Sequence, residues 1–316
     1  MRDALVVGDA VVDIIVPFPR LSGSGRRRAD FSPPCVQGGG TAANTAVALR
    51  RLGVPVSFIG SVGDDQYGRY VRKDFEAEGV GTGMVIVEPE MNTVGVFAFV
   101  DETGERYLWG WPRVDQAFKA IDEAKVDFGA VRAAAWVHSS GMAIAHDSSA
   151  RRAILRIFEE ARGAGVPTSF DLNLRADDGR VDPLFMRAVR DVVELSNYVL
   201  GSSDEEFTLL GDGDWEENAR ALVRKNRTVI VRLGKDGAVG IAEGGEIVEP
   251  AFNVEVVDTV GAGDVFDAAF IAALLRGEGL PGALRSGNAA AGFKVARKGA
   301  RSSPREKELR AFMERN

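Results

Sequence analysis

Short apolar runs alternate with longer amphipathic stretches along nearly the whole chain, and this rhythm limits the folds open to it. Residues 5–7, 56–59, 134–138, 167–171, 198–200 and 229–232 read as strands. They are apolar at successive positions, as strands covered on both faces are. Between them, 41–52, 68–78, 148–164, 183–196 and 215–225 read as helices. The order predicts an α/β fold, a single domain over residues 1–316 with a central, mainly parallel sheet flanked by helices. Two stretches break the rhythm. One, about 11–36, contains Pro17, Pro19, Pro33 and Pro34. The other, about 94–113, reads as a hairpin around Asp101-Glu102-Thr103-Gly104, with Val94, Val96 and Ala98 on one face. Together they predict a small β-sheet lid.

Composition narrows the partners. A formal net charge of −7 argues against nucleic acid. The basic run Arg26-Arg27-Arg28 is short and reads as a solvated turn. No apolar run approaches a membrane span, so no membrane partner is expected. The lone cysteine, Cys35, cannot form an intrachain disulfide, and with only His138 and His146 a Cys/His metal site is not expected. A cytoplasmic location fits these features.

The chemistry concentrates near the C-terminal end. Residues 253–258 look strand-like, and Thr259-Val260-Gly261-Ala262-Gly263-Asp264 forms a glycine-rich turn. Phe266, Ala269, Phe270, Ala273 and Leu274 then recur with helical spacing, giving a helix with one buried face. A helix N-terminus offers unpaired amides and the positive end of a dipole. Glycines there let an anion such as phosphate approach closely. Asp264 would repel that anion unless its carboxylate faces a hydroxyl whose proton it takes. The other reading of Asp264 is a helix N-cap. The turn has the spacing of neither a Walker A loop nor a dinucleotide fingerprint.

Four blocks then resemble, in order, the signatures of the PfkB (ribokinase-like) carbohydrate kinases. They are Gly39-Gly40-Thr41-Ala42-Ala43-Asn44 with Leu52-Gly53, the block from Phe58 to Gly68, the block from Val229 to Ala238, and Asp258 to Asp264. The resemblance implies in-line transfer of the γ-phosphoryl group of ATP, with Mg²⁺, to a hydroxyl of a monosaccharide or sugar acid. Ribose, fructose and 2-keto-3-deoxygluconate are the types of acceptor considered. The amides of Gly261, Ala262 and Gly263 would form the anion hole, and Asp264 would be the general base. A homodimer through the lid is a further implication.

On the acceptor side, Asp9 and Asp13 share a face by the period of two. Asp13 would take sugar hydroxyls, whereas Asp9 could instead bond loop amides. Gly39 and Gly40 allow close backbone approach, and Asn44 would contact the sugar or cap a helix. Tyr107 and Trp109 share a face and, with Trp111 and Arg113, would cover a sugar ring or pack lid on body. Arg175, in Asp171-Leu172-Asn173-Leu174-Arg175, would pair with a sugar-acid carboxylate or with Asp171 or Asp177.

On the nucleotide side, Ser203-Asp204-Glu205-Glu206 departs from the family's Asn-x-x-Glu, with Ser203 in the Asn place. Glu206 would order Mg²⁺ through water. Arg232, Gly234, Lys235 and Gly237 would line the phosphates and Asn288 the adenine. Asp258, Val260, Gly299 and Ser303 would hold K⁺, although Asp258 could instead orient the glycine turn. A nucleoside kinase of the same fold, and a catalytically silent sugar-binding regulator, remain open alternatives here.

Overall fold

The computed structural model of the protein describes residues 2–17, 33–100, 106–177 and 179–316. The basic run Arg26–Arg28 and the turn at Asp101–Gly104 lie outside the described residues. In chain order the strands are β1 (Ala4–Val7), β2 (Val11–Pro17), β3 (Cys35–Gly39), β4 (Val56–Gly63), β5 (Gly81–Glu88), β6 (Gly95–Val100), β7 (Arg106–Trp111), β8 (Trp136–Ser140), β9 (Thr168–Asp171), β10 (Ala176–Asp177), β11 (Arg180–Val181), β12 (Tyr198–Ser202), β13 (Thr228–Arg232), β14 (Ala238–Ala242) and β15 (Gly245–Glu249). The helices are α1 (Thr41–Arg51), α2 (Gln66–Glu78), α3 (Phe128–Ala133), α4 (Gly141–Ile144), α5 (Ser149–Gly163), α6 (Pro183–Leu195), α7 (Trp215–Leu222), α8 (Ala262–Leu275), α9 (Leu280–Val295) and α10 (Glu306–Arg315).

The main sheet runs β15-β14-β13-β12-β9-β8-β1-β4-β5. From β13 to β5 every neighbouring pair is parallel, and β14 and β15 add an antiparallel edge. This is a ribokinase-like architecture. The winding direction reverses between β1 and β8, and in such sheets ligands bind beyond the carboxyl ends of the strands at that point. One core joins the sheet to α1, α8 and α9, and a second joins its other face to α5 and α6.

Two expectations about the glycine turn need correction. Residues 253–258 form no strand, because no neighbouring strand takes their backbone groups. Instead the amides of Val257 and Asp258 both donate to the carbonyl of Val295, at 2.7 and 3.0 Å, at the end of α9. Helix α8 has more than one buried face. Every residue from Asp264 to Ala273 is buried, since α1 and α9 cover the sides turned away from the sheet. Such all-round burial fits a helix built of Ala, Phe and Ile, and it makes the acids Asp264 and Asp267 conspicuous.

A second sheet, β3-β2-β6-β7, begins where the chain leaves β1. In its register Asp13 pairs with Val96 and Val96 with Gly110, so these share one face. Phe97 pairs with Trp109 and Phe99 with Tyr107, on the opposite face. Tyr107 and Trp109 therefore point away from Asp13, contrary to the expectation that they cover a sugar. A side-chain period of two requires this once Asp13 faces inward. Trp109 instead packs on Phe97 and Trp111, with ring centroids 5.6 and 5.9 Å apart.

Between β1 and β2, the buried Asp9 takes the alternative role considered for it. Its carboxylate accepts from the amides of Thr41 (2.9 Å) and Ala42 (3.2 Å). Helix α1 starts after Gly40, which has no side chain to cap it, so Asp9 caps it from across the fold. Replacing Asp9 by Ala is expected to lower stability by about 1–2 kcal/mol, the usual range for a lost cap. Urea unfolding measures this, and an unchanged midpoint would contradict the capping role.

Candidate active site

Two cavities meet at the start of α8. One, of about 730 Å³, lies between the ends of β12 and β13, residues 251–256 and α9. The other, of about 630 Å³, lies between the main sheet and the inner face of the small sheet. Asn173, Gly261 and Asp264 line both.

Gly261 is the residue from which α8 starts, in the left-handed conformation at φ 79° that favours glycine. Asp264 therefore sits inside the first turn and makes no capping bond, which removes the N-cap reading. Of the three amides expected to form an anion hole, that of Ala262 already donates to the Thr259 carbonyl at 3.1 Å. Those of Gly261 and Gly263 donate to no other backbone group among the described residues. Asp264 Oδ2 accepts from Asn44 Nδ2 at 2.8 Å, and Asn44 Oδ1 accepts from Arg301 Nε at 2.8 Å. Arginine has only donors, so it fixes which way the Asn44 amide points. Asn44 lines the smaller cavity, and each of its polar atoms makes one bond in this relay. Burial pushes the Asp264 carboxyl up to about 7, with Asp171 and Asp9 adding to the rise and the Asn44 bond opposing it.

Beside Asp264 lies a buried ionic knot. Arg232, at the end of β13, bonds Asp171 at 2.7 Å and Asp267 at 2.8 Å, with Glu206 at 3.5 Å. Burial opposes the charge of Arg232, but the three carboxylates outweigh it and hold its pKa above the ordinary range. Arg232 lines the larger cavity, yet it is engaged by carboxylates rather than free for phosphate. The knot has an excess of acids over its one arginine. Burial accordingly raises Asp171 to about 6 and raises Asp267 well above its usual value. Asp171 Oδ2 and Asp267 Oδ2 are buried without hydrogen-bond partners among the described residues.

Gly234, Lys235, Gly237 and Asn288 all line the larger cavity. Asn288 donates to the carbonyls of Glu249 (2.9 Å) and Pro250 (3.2 Å), so it holds the cavity wall. Ser203 does not reach the cavity; its amide donates to the Arg232 carbonyl at 3.0 Å, while Ser202 and Glu205 line the wall. Glu206 is buried and accepts from the Ser202 amide (2.5 Å) and hydroxyl (2.9 Å).

In the smaller cavity Asp13 is raised to about 6, chiefly by burial. A Cβ on Gly39 would lie 2.4 Å from Asp13 Oδ2, so only glycine fits behind that carboxylate. Gly40 and Arg175 line the same space. Arg175 donates to Asn173 Oδ1 at 2.7 Å, and among the described residues it forms no ion pair with Asp171; the side chain of Asp177 lies outside the described residues. Asp258, Val260, Gly299 and Ser303 do lie around one turn, but Lys294 and Arg51 already engage Asp258 and Ser303 there.

Sequence reasoning missed Asp267, Arg301 and Lys294 altogether. For Asp267 the signal was an acid inside an otherwise apolar helix, since a buried charge needs a partner. Lys119 was also missed. It lines the smaller cavity with Arg113 and Arg175, and these cations come together only in the fold.

A cavity of nucleotide size on one side of a buried acid, and a smaller polar one on the other, is the layout of a small-molecule kinase. Comparison with known proteins agrees. The model of the pfkB family carbohydrate kinases matches residues 1–307. The chain is 36% identical over 277 residues to the ATP-dependent ribose-1-phosphate kinase of Halopiger xanaduensis, covering 87% of this chain and 86% of that protein. It is 32% identical over 292 residues to the fructokinase of Vibrio alginolyticus, covering 87% and 85%. The structure of aminoimidazole riboside kinase from Salmonella enterica, solved with aminoimidazole riboside and an ATP analog, superimposes with a TM-score of 0.78 at 26% identity, covering 98% of this chain and 99% of that one. The chain belongs to the PfkB family of carbohydrate kinases and is an ATP-dependent sugar phosphotransferase.

If Asp264 must be ionised to accept a proton, kcat/KM is expected to rise with pH through a limb near 7. The Asn44 bond favours the ionised form, so Asn44→Ala should move that limb upward by about one unit. A flat profile across the limb in the wild type would contradict the titration of Asp264.

Proposed function

We propose that the chain transfers the γ-phosphoryl group of ATP to a hydroxyl of an anionic sugar, with Asp264 as general base. The observation that carries the proposal is that Asp264 and Gly261 line both cavities, so one carboxylate reaches acceptor and nucleotide sides together. ATP occupies the larger cavity, its phosphates running past Lys235, Gly234 and Gly237 toward the glycine turn. The acceptor hydroxyl gives its proton to Asp264 as it attacks. The amides of Gly261 and Gly263 face the charge on the moving phosphoryl oxygens. Asn44, held by Arg301, keeps the Asp264 carboxylate in place. Asp171 and Glu206 suit a hydrated Mg²⁺, because the knot has more acids than cations and both residues line the larger cavity. When bound with the nucleotide, the ion neutralises phosphate charge.

The charge of the acceptor is read from Arg113, Lys119 and Arg175. All line the smaller cavity, and none forms an ion pair among the described residues. Facing them, Asp13 suits sugar hydroxyls. Three cations and one hydroxyl-binding carboxylate suit a sugar carrying a phosphate or carboxylate. A sugar phosphate is favoured by the 36% identity to a ribose-1-phosphate kinase. The second sheet acts as a lid over this cavity, its inner face carrying Asp13, Val96 and Gly110. Its outer row of Tyr107, Trp109 and Trp111 is about half exposed and suits the same face of a second copy.

Asp264→Asn is expected to lower kcat on the order of a thousand-fold while leaving ATP affinity intact by calorimetry. Near wild-type turnover would remove the base assignment. Lys119→Ala and Arg175→Ala should each raise KM for a sugar phosphate about ten-fold or more, with KM for ATP unchanged. Equal losses on charged and neutral sugars would contradict an anion-binding role. Trp109→Asp should turn a dimer into a monomer in sedimentation, and a monomeric wild type would contradict association through the lid.

A further inference from the structure

Lys294, in the last turn of α9, is wholly buried. Lysine is almost never found in that state without partners. Its Nζ donates to the carbonyl oxygen of Asp258 at 2.5 Å and lies 3.5 Å from Asp258 Oδ1. The carboxylate of Asp258 also accepts from the amides of Val260 (3.0 Å) and Gly299 (2.8 Å). The ammonium is thus tied to the residue that shapes the turn leading into Gly261. Nearby, Arg51 Nη1 donates to Ser303 Oγ at 3.1 Å and to the Ser303 carbonyl at 3.3 Å, and also to the Arg301 carbonyl.

A monovalent metal ion held by this turn would need oxygens with lone pairs turned toward it. Both carboxylate oxygens of Asp258, its carbonyl and the oxygens of Ser303 are engaged by protein donors. The ion would also sit beside a fixed ammonium in a buried setting, where like charges repel strongly. The residues therefore do not fit K⁺, and they supply in its place a cation that cannot dissociate.

We propose that Lys294 replaces a monovalent cation, so that phosphoryl transfer by this protein needs no K⁺. Lys294 is a positioning residue. It holds Asp258, and through Asp258 the backbone of residues 258–261, in the geometry that aims the glycine amides at the phosphoryl group. It also adds permanent positive charge beside a turn that must receive negative charge. A tethered cation makes the turn independent of the ionic composition around it. The proposal uses the family's phosphoryl transfer but not the charge of the acceptor.

The test uses the full chain, freed of monovalent metal ions and assayed for ADP release with Mg·ATP. KCl, NaCl and tetramethylammonium chloride are compared at constant ionic strength. The expected kcat is the same in all three to within about two-fold, and activation by K⁺ of about ten-fold or more overturns the proposal. Thermal melts without any acceptor keep this question apart from the identity of the sugar. The wild type should show no stabilisation specific to K⁺, and a K⁺-specific rise in Tm overturns the proposal. Lys294→Ala should lose about ten-fold or more in activity and recover it with K⁺ or ammonium, which a purely structural lysine would not do. Wild-type activity in Lys294→Ala overturns the proposal. Should that variant not fold, the two wild-type arms decide the matter.

Discussion

The ion pairs of Arg232 with Asp171 and Asp267 are the constraint on which the site depends. Arg232 ends β13, Asp171 ends β9 and Asp267 lies on α8. One guanidinium thus clamps the central helix to the carboxyl ends of two parallel strands. Breaking such a buried pair costs about 3–5 kcal/mol, because the partner charge is stranded. The clamp also shapes the glycine turn. A Cβ on Gly263 would come within 3.0 Å of Arg232 Nη1, so the turn's close approach and the clamp are one arrangement.

The clamp also sets the charge of the site. Asp171, Glu206, Asp264 and Asp267 crowd around one arginine, and burial raises the pKa values of Asp171, Asp264 and Asp267. Asp264 is thereby brought to the range where it can hold or lose a proton near neutrality. A base of that strength suits an alcohol attacking phosphorus, and the same surplus of negative charge suits a nucleotide that arrives with a divalent cation. The smaller cavity differs in carrying Arg113, Lys119 and Arg175, none of them in an ion pair among the described residues, beside Asp9, Asp13 and Asp264. The larger cavity is thus bordered by an excess of acids, and the smaller one offers both cations and carboxylates.

The parallel sheet was legible because its strands are apolar on both faces, and the glycine turn because its spacing is specific. Asp264, Asp13 and the glycines could be singled out because motifs record local backbone. What was not legible depended on register or on distant partners. Tyr107 and Trp109 share a face, but only pairing with β6 and β2 shows that it is the outer one. Residues 253–258 look like a strand yet find α9 rather than a neighbouring strand. Asp258 and Ser303 match a cation-binding pattern, and only the fold brings Lys294 and Arg51 onto them. Arg113, Lys119 and Arg175 are far apart in sequence, so the charge of the acceptor cavity could not be read from any one segment.

The kinase proposed above uses its base on an anionic acceptor. The most direct measurement is kcat/KM, by ADP release, for a phosphorylated pentose against the same pentose without its phosphate. The expected result is a preference of about a hundred-fold or more for the phosphorylated sugar, the scale of one or two charge-assisted contacts. Equal or better turnover of the neutral pentose would contradict the account.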